Sequence, residues 1–196
     1  MTTVVIEGQH RSDMGKKAAR DLRSQGFVPA VIYGGKENVH FYAPVLAFRS
    51  IVYTADFMTA EIKVDGKTYP CILKDLQFDV VTDQLTHVDF QELTDDRKII
   101  AQIPVKFNGL AEGVRAGGRF EVKMKYLKVR TYPKHLVENL EVDITNLKLN
   151  ENVRVEDIQR EGLEIMNPAR QPIASIVMTR ALRQAETESK KTDGKK

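Results

Sequence analysis

Residues 15–35, GKKAARDLRSQGFVPAVIYGG, join two patterns that favour different secondary structures. In the first part, Lys16, Arg20 and Arg23 recur at helical spacing and form a cationic stripe. A narrow apolar face lies beside the stripe and consists of Ala18, Ala19 and Leu22. This pattern predicts a helix over about 15–25, which Gly26 ends. The second part, VPAVIY, predicts a strand with Pro29 at its start or on a sheet edge. The stretch therefore sets a basic helix beside an apolar strand, and the charge of the helix faces either water or a polyanion.

Length and composition predict a globular chain of one large or two small domains. The chain has 196 residues, of which 42% are hydrophobic and 29% are charged. No window reaches the 18 or more apolar residues of a membrane span, and the first residues lack the pattern of a signal peptide. The expected location is the cytoplasm, away from membranes. The single cysteine, Cys71, excludes an internal disulfide and is expected to be buried without a chemical role.

Strand patterns dominate the rest of the first half. A second short helix is predicted over 45–56, and residues 60–73 predict a hairpin turning at Asp65-Gly66. Residues 85–93, LTHVDFQEL, predict a strand in which Val88 and Phe90 share one face. His87 and Asp89 then lie on the opposite face, because strand side chains alternate.

A second set of strands begins after TDDRK. These strands are predicted within 99–107, 119–130, 140–147 and 172–178, and the loops between them contain Gly, Pro and Asn. Within 119–130 the alternation of side chains slips at Tyr126-Leu127, which predicts a bulge in that strand. The chain is therefore predicted to be mainly β with few short helices (α+β), in an N-terminal domain (1–95) and a β-rich C-terminal domain (96–180). The polar residues 181–196 are predicted to form a disordered tail.

The net charge of +3 is too small to predict a nucleic-acid partner by itself, so a binding surface for nucleic acid has to be sought in local clusters of basic residues. Residues 1–95 carry ten Lys and Arg against thirteen Asp and Glu, so a basic surface there has to be a local one. The first cluster contains Arg11, Lys16, Lys17, Arg20 and Arg23. The second cluster lies in the middle of the chain and contains Arg115, Arg119, Lys123, Lys125, Lys128, Arg130 and Lys134.

Signatures of enzymes are missing from the sequence. Neither a phosphate-binding P-loop nor the dinucleotide pattern G-x-G-x-x-G occurs. The four histidines are scattered without metal-ligand spacing. His87 and Asp89 supply half of a catalytic dyad, but no activated nucleophile accompanies them. We therefore expect no enzymatic activity, cofactor, metal or small-molecule substrate.

Several motifs together resemble one family. HRSDMGKKAARDLRSQGFVPAVIYGG (10–35), followed by THVDF (86–90), is similar to the bacterial 5S-rRNA-binding protein of the large ribosomal subunit. The segments GVRAGGRF, LEVDITNLKLNENVRVEDI and IASIVM resemble the second domain of its long form, the general stress protein CTC. The resemblance covers about residues 1–180 and implies a cytoplasmic ribosomal protein whose first domain is a small β-barrel.

The resemblance also implies a 5S rRNA contact in the minor groove of an irregular internal loop. The matching residues are Arg11, Lys16, Arg20, Arg23, Tyr33, His87 and Asp89. In this interpretation the helix cations neutralise phosphates, whereas the three strand residues read base edges and 2′-hydroxyls. One departure is that Lys17, Ala18 and Ala19 stand where the family often has a small residue and a serine, which removes a hydroxyl contact.

Other interpretations stay open at this point. From spacing alone, the helix stripe is more simply a solvated face, and His87 and Asp89 an exposed strand face. An alternative function is a protein–protein interaction module, or a ribosome-associated stress protein without direct sequence-specific RNA readout; an enzyme acting on RNA is a third. The second basic cluster either protects a sheet edge or contacts 23S rRNA or a neighbouring ribosomal protein.

Overall fold

The computed structural model describes residues 1–158, 160, 162–180, 182 and 184. It divides into two compact units: Met1–Ala101 with Arg130–Glu138, and Gln102–Val129 with the described residues from Asn139 onward. The domain boundary between residues 95 and 96 stays a prediction. The predicted tail, 181–196, lies outside the described residues except for Leu182 and Gln184. No helix in the described part of the chain is long and apolar enough to cross a membrane.

The first unit is a closed six-stranded barrel, which confirms the expected small β-barrel. Around the barrel the strands run in the order β1-β3-β2-β6-β5-β4, and parallel pairing of β1 with β4 closes it. A second parallel pair, β2 with β6, brings together strands that are distant in sequence. The elements are β1 (Thr3–His10), α1 (Lys16–Ser24), β2 (Phe27–Tyr33), β3 (Val39–Pro44), α2 (Arg49–Val52), β4 (Thr59–Val64), β5 (Lys67–Phe78) and β6 (Leu85–Glu92).

The barrel core contains three phenylalanine rings. Phe41, Phe48 and Phe90 are fully buried, and their ring centroids lie 6.1–6.4 Å apart. Phe90 comes from β6, Phe41 from β3, and Phe48 from a 3₁₀ turn that precedes α2. Cys71 belongs to the same core, as the sequence predicts, and burial raises the pKa of its thiol to about 12.

Two local predictions for the barrel have different outcomes. The hairpin at Asp65-Gly66 is confirmed, since both residues have positive φ, 49° and 80°, as a type I′ turn requires. The helix predicted over 45–56 is wrong in length and type. It is a 3₁₀ turn over Val45–Phe48 followed by the single α-turn of α2. Within 45–56 only Phe48 and Ile51 are buried, so little packing supports a longer helix.

The second unit is built mainly from two sheets. One has the order β10-β7-β9-β12 and the other the order β11-β13-β8. The second β-rich set of strands is therefore confirmed, and the mainly β class holds for both units. The elements that follow β6 in the chain are β7 (Ile99–Asn108), α3 (Glu112–Arg115), β8 (Arg119–Val122), β9 (Tyr126–Thr131), β10 (Leu140–Asp143), β11 (Asn152–Arg154), β12 (Leu163–Ile165) and β13 (Pro172–Val177).

Candidate nucleic-acid interface

Helix α1 packs against β2 and exposes its cations. Its half-buried residues are Ala18, Ala19 and Leu22, as the sequence predicts. Lys16, Arg20 and Arg23 are all exposed on this helix, and none of its residues is fully buried. Gly15, with φ of 109°, allows the chain to turn into the helix. We call Lys16, Arg20 and Arg23 the helix stripe.

Arg23 ties the helix stripe to strand β6. Its Nε donates a hydrogen bond of 3.0 Å to the carbonyl oxygen of Thr86. Thr86 directly precedes His87, so the last turn of α1 is fixed beside the outward face of β6. The bond uses one of the five guanidinium donors and leaves the terminal nitrogens available for a ligand.

The outward face of β6 and β2 carries the other candidate residues. In β6, Leu85, Val88 and Phe90 are buried, whereas the intervening residues, His87 and Asp89 among them, are half-buried. On β2, Ile32 is buried and Tyr33 is half-buried. The parallel register pairs Val31 with Asp89 and Tyr33 with Gln91, so Tyr33 and Asp89 are diagonal neighbours. We call Tyr33, His87 and Asp89 the strand face.

The three strand-face residues interact electrostatically. His87 Nδ1 lies 2.6 Å from Asp89 Oδ1, with side chains 26% and 28% exposed. The contact does not have the geometry of a hydrogen bond, and Nδ1 has no hydrogen-bond partner among the described residues. Burial raises the pKa of Tyr33, and the nearby carboxylates Asp89 and Asp75 raise it further. Its hydroxyl therefore stays protonated at neutral pH and can donate a hydrogen bond.

Arg11 lies between β1 and α1 rather than on either element. Its backbone N–H donates to the carbonyl oxygen of His40 at 2.9 Å, and its side-chain Nε donates to that of Asp13 at 2.8 Å. The guanidinium is thus folded onto the loop that leads into α1. Six of the seven predicted contact residues form the helix stripe and the strand face, which adjoin through the bond from Arg23 to Thr86. The seventh, Arg11, lies on the loop that precedes the helix.

Sequence reasoning missed two polar neighbours of the strand face. Strand β5 extends to Phe78, beyond the predicted end at residue 73, and pairs Asp75 with Asp89 and Gln77 with His87. The register shifts between Leu73 and Asp75, and this irregularity interrupts the alternation that would have revealed the longer strand. Among the described residues, no group of three or more His, Cys, Asp or Glu side chains could hold a metal ion.

The second basic cluster is not one strand. The sequence predicted a bulged strand over 119–130, and this prediction is wrong: β8 and β9 belong to different sheets. The backbone N–H groups of Lys123 and Met124 both donate to the carbonyl oxygen of Ile173, which ends the β8 ladder. Lys123 pairs with Glu121 at 2.6 Å. The cluster residues in the second unit are all exposed, and they are Arg115, Arg119, Lys123, Lys125 and Lys128. Arg130 and Lys134 belong to the first unit.

Comparison with known proteins covers nearly the whole chain. The Ribosomal L25p family matches residues 6–90, and the family described as Ribosomal protein TL5, C-terminal domain, matches residues 98–180. The large ribosomal subunit protein bL25 of Phocaeicola vulgatus is 38% identical in an alignment of 192 positions that covers 94% of this chain and 97% of that protein. The bL25 of Cytophaga hutchinsonii is 37% identical over 97% of this chain and 100% of its own length. The bL25 of Amoebophilus asiaticus is 37% identical over the full length of both chains.

Proposed function

The chain belongs to the Ribosomal L25p family, in the long form with a TL5-type C-terminal domain, and from this premise we propose that it binds 5S rRNA. Membership of the family makes the chain a ribosomal protein and not an enzyme, since its relatives are named proteins of the large ribosomal subunit. Its location is accordingly the ribosome in the cytoplasm. The 5S rRNA contact is our proposal for the first domain.

The observation that supports this proposal most directly is that the helix stripe lies next to the strand face. An A-form minor groove is wide and shallow, and it presents phosphates at its rims and 2′-hydroxyls and base edges on its floor. A row of exposed cations beside a row of polar strand residues matches that arrangement. The bond from Arg23 to Thr86 holds the two rows in one register, so they can contact the same groove.

The two rows have different roles in the proposed complex. Lys16, Arg20 and Arg23 contact phosphates and supply affinity and its dependence on salt. Tyr33 donates its hydroxyl, Asp89 accepts from amino or hydroxyl groups, and His87 bonds to a base or 2′-hydroxyl. Arg11 extends the cationic surface from the loop before the helix. Specificity for 5S rRNA therefore depends on the strand face rather than on the helix.

Replacing Arg20 by alanine tests the role of the helix stripe. We expect Arg20→Ala to weaken 5S rRNA binding roughly fivefold near 0.15 M salt and to make the negative slope of log K against log salt shallower by about 0.9, because one phosphate contact is lost. Filter binding or fluorescence anisotropy of the full chain over a series of salt concentrations measures both quantities. Lys67→Ala, which removes an exposed cation from the β4–β5 hairpin, is the matched control.

Two outcomes would contradict the proposal. If Arg20→Ala and Lys67→Ala change the affinity and the salt slope equally, the stripe is not an RNA contact. If the wild-type chain binds tRNA as tightly as 5S rRNA, the first domain is not a specific 5S rRNA reader. In that case the interaction with a protein partner becomes the better explanation.

We also propose a second, sequence-independent contact through the exposed lysines of the second basic cluster. Lys125 and Lys128 carry it, whereas Lys123 is already paired with Glu121. We expect Lys125→Glu with Lys128→Glu to release the protein from large subunits at a lower salt concentration, because attraction to 23S rRNA or a neighbouring protein becomes repulsion. Lys148→Glu changes another exposed cation and serves as the control. An unchanged release concentration would rule out this contact.

A further inference from the structure

Strand β10 forms an open edge of the four-stranded sheet in the second unit. It pairs in parallel with β7, from Leu140 opposite Val105 to Asp143 opposite Asn108, and no strand of the described residues pairs with its other side. The N–H of Ile144 donates to the carbonyl oxygen of Asn108 at 3.0 Å. Because backbone groups alternate in direction along a strand, Val142 also bonds toward β7. The N–H and C=O groups of Glu141 and Asp143 therefore point to the open side.

A cavity of about 630 Å³ lies along this open edge. All four residues of β10 line it, and no residue of β7 does, so the cavity is on the side away from the paired strand. The opposite wall comes from the segment that contains β11 and the turn after it. Apolar side chains that belong to or pack against the hydrophobic cluster of this unit form much of the lining, and they are Val142, Leu147, Val153 and Ile158.

The polar part of the lining is predominantly acidic. Glu141, Asp143 and Asp157 contribute carboxylates, and Arg160 is the one lining cation among the described residues. Hydrogen bonds from the side chain and backbone of Thr145 hold the pKa of Asp143 below its usual value, so this carboxylate is ionised. Arg160, whose Nη1 donates a 3.3 Å bond to the carbonyl oxygen of Asn139, offsets one of these three negative charges and leaves the lining with a formal net charge of −2. The groove thus attracts positive charge and repels phosphate.

We propose that an extended peptide of another protein binds in this groove as an added strand beside β10, with lysine or arginine alternating with apolar residues. Its backbone pairs with the outward N–H and C=O groups of Glu141 and Asp143. Neighbouring strands share their side-chain alternation. Peptide side chains level with the buried Leu140 and Val142 therefore enter the apolar lining, and those level with the exposed Glu141 and Asp143 meet the carboxylates.

The composition of the groove argues against two other occupants. Residues 185–196 of this chain include four lysines, but no apolar residue follows Ala185, so this segment cannot fill the apolar positions. RNA is disfavoured because its phosphates would lie against the carboxylates. This inference is independent of the proposed 5S rRNA contact, which lies in the first domain.

A synthetic peptide tests the proposal with the full chain. The probe is a fluorescein-labelled octapeptide of alternating Lys and Val, and fluorescence anisotropy measures its binding. We expect saturable binding that Glu141→Lys weakens by about tenfold, since attraction at that position becomes repulsion. The corresponding Glu–Val octapeptide is expected to bind much more weakly than the Lys–Val peptide. Glu61→Lys, on the exposed face of β4 in the first unit, should leave the affinity unchanged.

A second measurement keeps the protein unaltered. In an alternating peptide the N–H groups of the four Lys residues point to one edge of the strand and those of the four Val residues to the other. Only one edge pairs with β10, so N-methylation of one set should abolish binding and N-methylation of the other set should leave it intact. Equal binding of the two methylated peptides would overturn the proposal, as would equal binding of the Glu–Val peptide. A tenfold gain in affinity on deletion of residues 185–196 would also overturn it, because the chain's own tail would then be the occupant.

Discussion

Phe90→Ala is expected to lower the free energy of unfolding of the barrel by about 3–5 kcal/mol, the largest stability effect of any substitution proposed here. Phe90 is fully buried, and its ring lies 6.1 Å from the centroids of both Phe41 and Phe48. Removing the ring opens a cavity where strands β3 and β6 and the 3₁₀ turn meet. The surrounding rings are held by a closed barrel, so the cavity cannot readily collapse.

Cys71 supplies the measurement for this prediction. It is the only cysteine of the chain, it is fully buried in the barrel, and its raised pKa of about 12 keeps the folded thiol protonated and unreactive. Pulsed thiol labelling at increasing urea concentration therefore reports unfolding of the barrel alone. Phe90→Ala should move the labelling midpoint to a much lower urea concentration.

Phe78→Ala is the matched control for Phe90→Ala. It removes the same ring from the end of β5, where the side chain is 40% exposed. We expect this control to cost at most about 1 kcal/mol, because less apolar surface is buried there. Equal shifts of the two midpoints would mean that the aromatic cluster does not hold the barrel together.

The barrel wall follows from short-range patterns, but its closure does not. Alternation in LTHVDFQEL was enough to predict that Val88 and Phe90 point inward and that His87 and Asp89 point outward. The hairpin at Asp65-Gly66 was predicted for the same reason, since positive φ at both positions has a local cause. The parallel pairs β1–β4 and β2–β6 join strands separated by dozens of residues, and no local pattern specifies them. The barrel itself was expected only through the family resemblance.

The candidate site was predicted to a similar extent. Helical spacing identified the stripe of Lys16, Arg20 and Arg23, and strand alternation identified the outward face of β6. The bond from Arg23 to the Thr86 carbonyl was not predictable, because a backbone acceptor 63 residues away has no sequence signature. Asp75 was missed because of the register shift in β5. Regular alternation would place Asp75 on the same face as Leu73, which pairs with Phe90, whereas the shift pairs Asp75 with Asp89 instead.

In the second unit, the prediction of one strand over 119–130 was wrong because this segment contributes strands to two different sheets. Residues 119–130 alternate well enough to predict a single strand with a phase slip near Tyr126. The slip is instead the passage from β8 to β9, and the two strands pair with different neighbours. A change of phase marks where an alternating pattern breaks, but it does not distinguish a bulge within one strand from a crossing between sheets.

Asp89→Ala should distinguish a base-reading carboxylate from an incidental one by the sign of its effect. A carboxylate on an RNA-binding surface repels phosphates, so removing an incidental one raises the affinity for every RNA. If Asp89 accepts hydrogen bonds from 5S rRNA, its removal lowers that affinity by about 1–3 kcal/mol, or roughly 5-fold to 150-fold, while tRNA binding stays the same or tightens. We expect the second pattern in parallel titrations of the full chain with 5S rRNA and tRNA.

The contact of 2.6 Å between His87 Nδ1 and Asp89 Oδ1 sharpens this prediction. Because the two side chains are in contact, their effects are coupled, and the double variant should lose less 5S rRNA affinity than the sum of the single losses. Glu61→Ala removes a carboxylate from the exposed face of β4 and should leave discrimination between the RNAs unchanged. Tighter binding of both RNAs by Asp89→Ala would remove the strand face from the site and leave only the helix stripe, which binds phosphates without reading sequence.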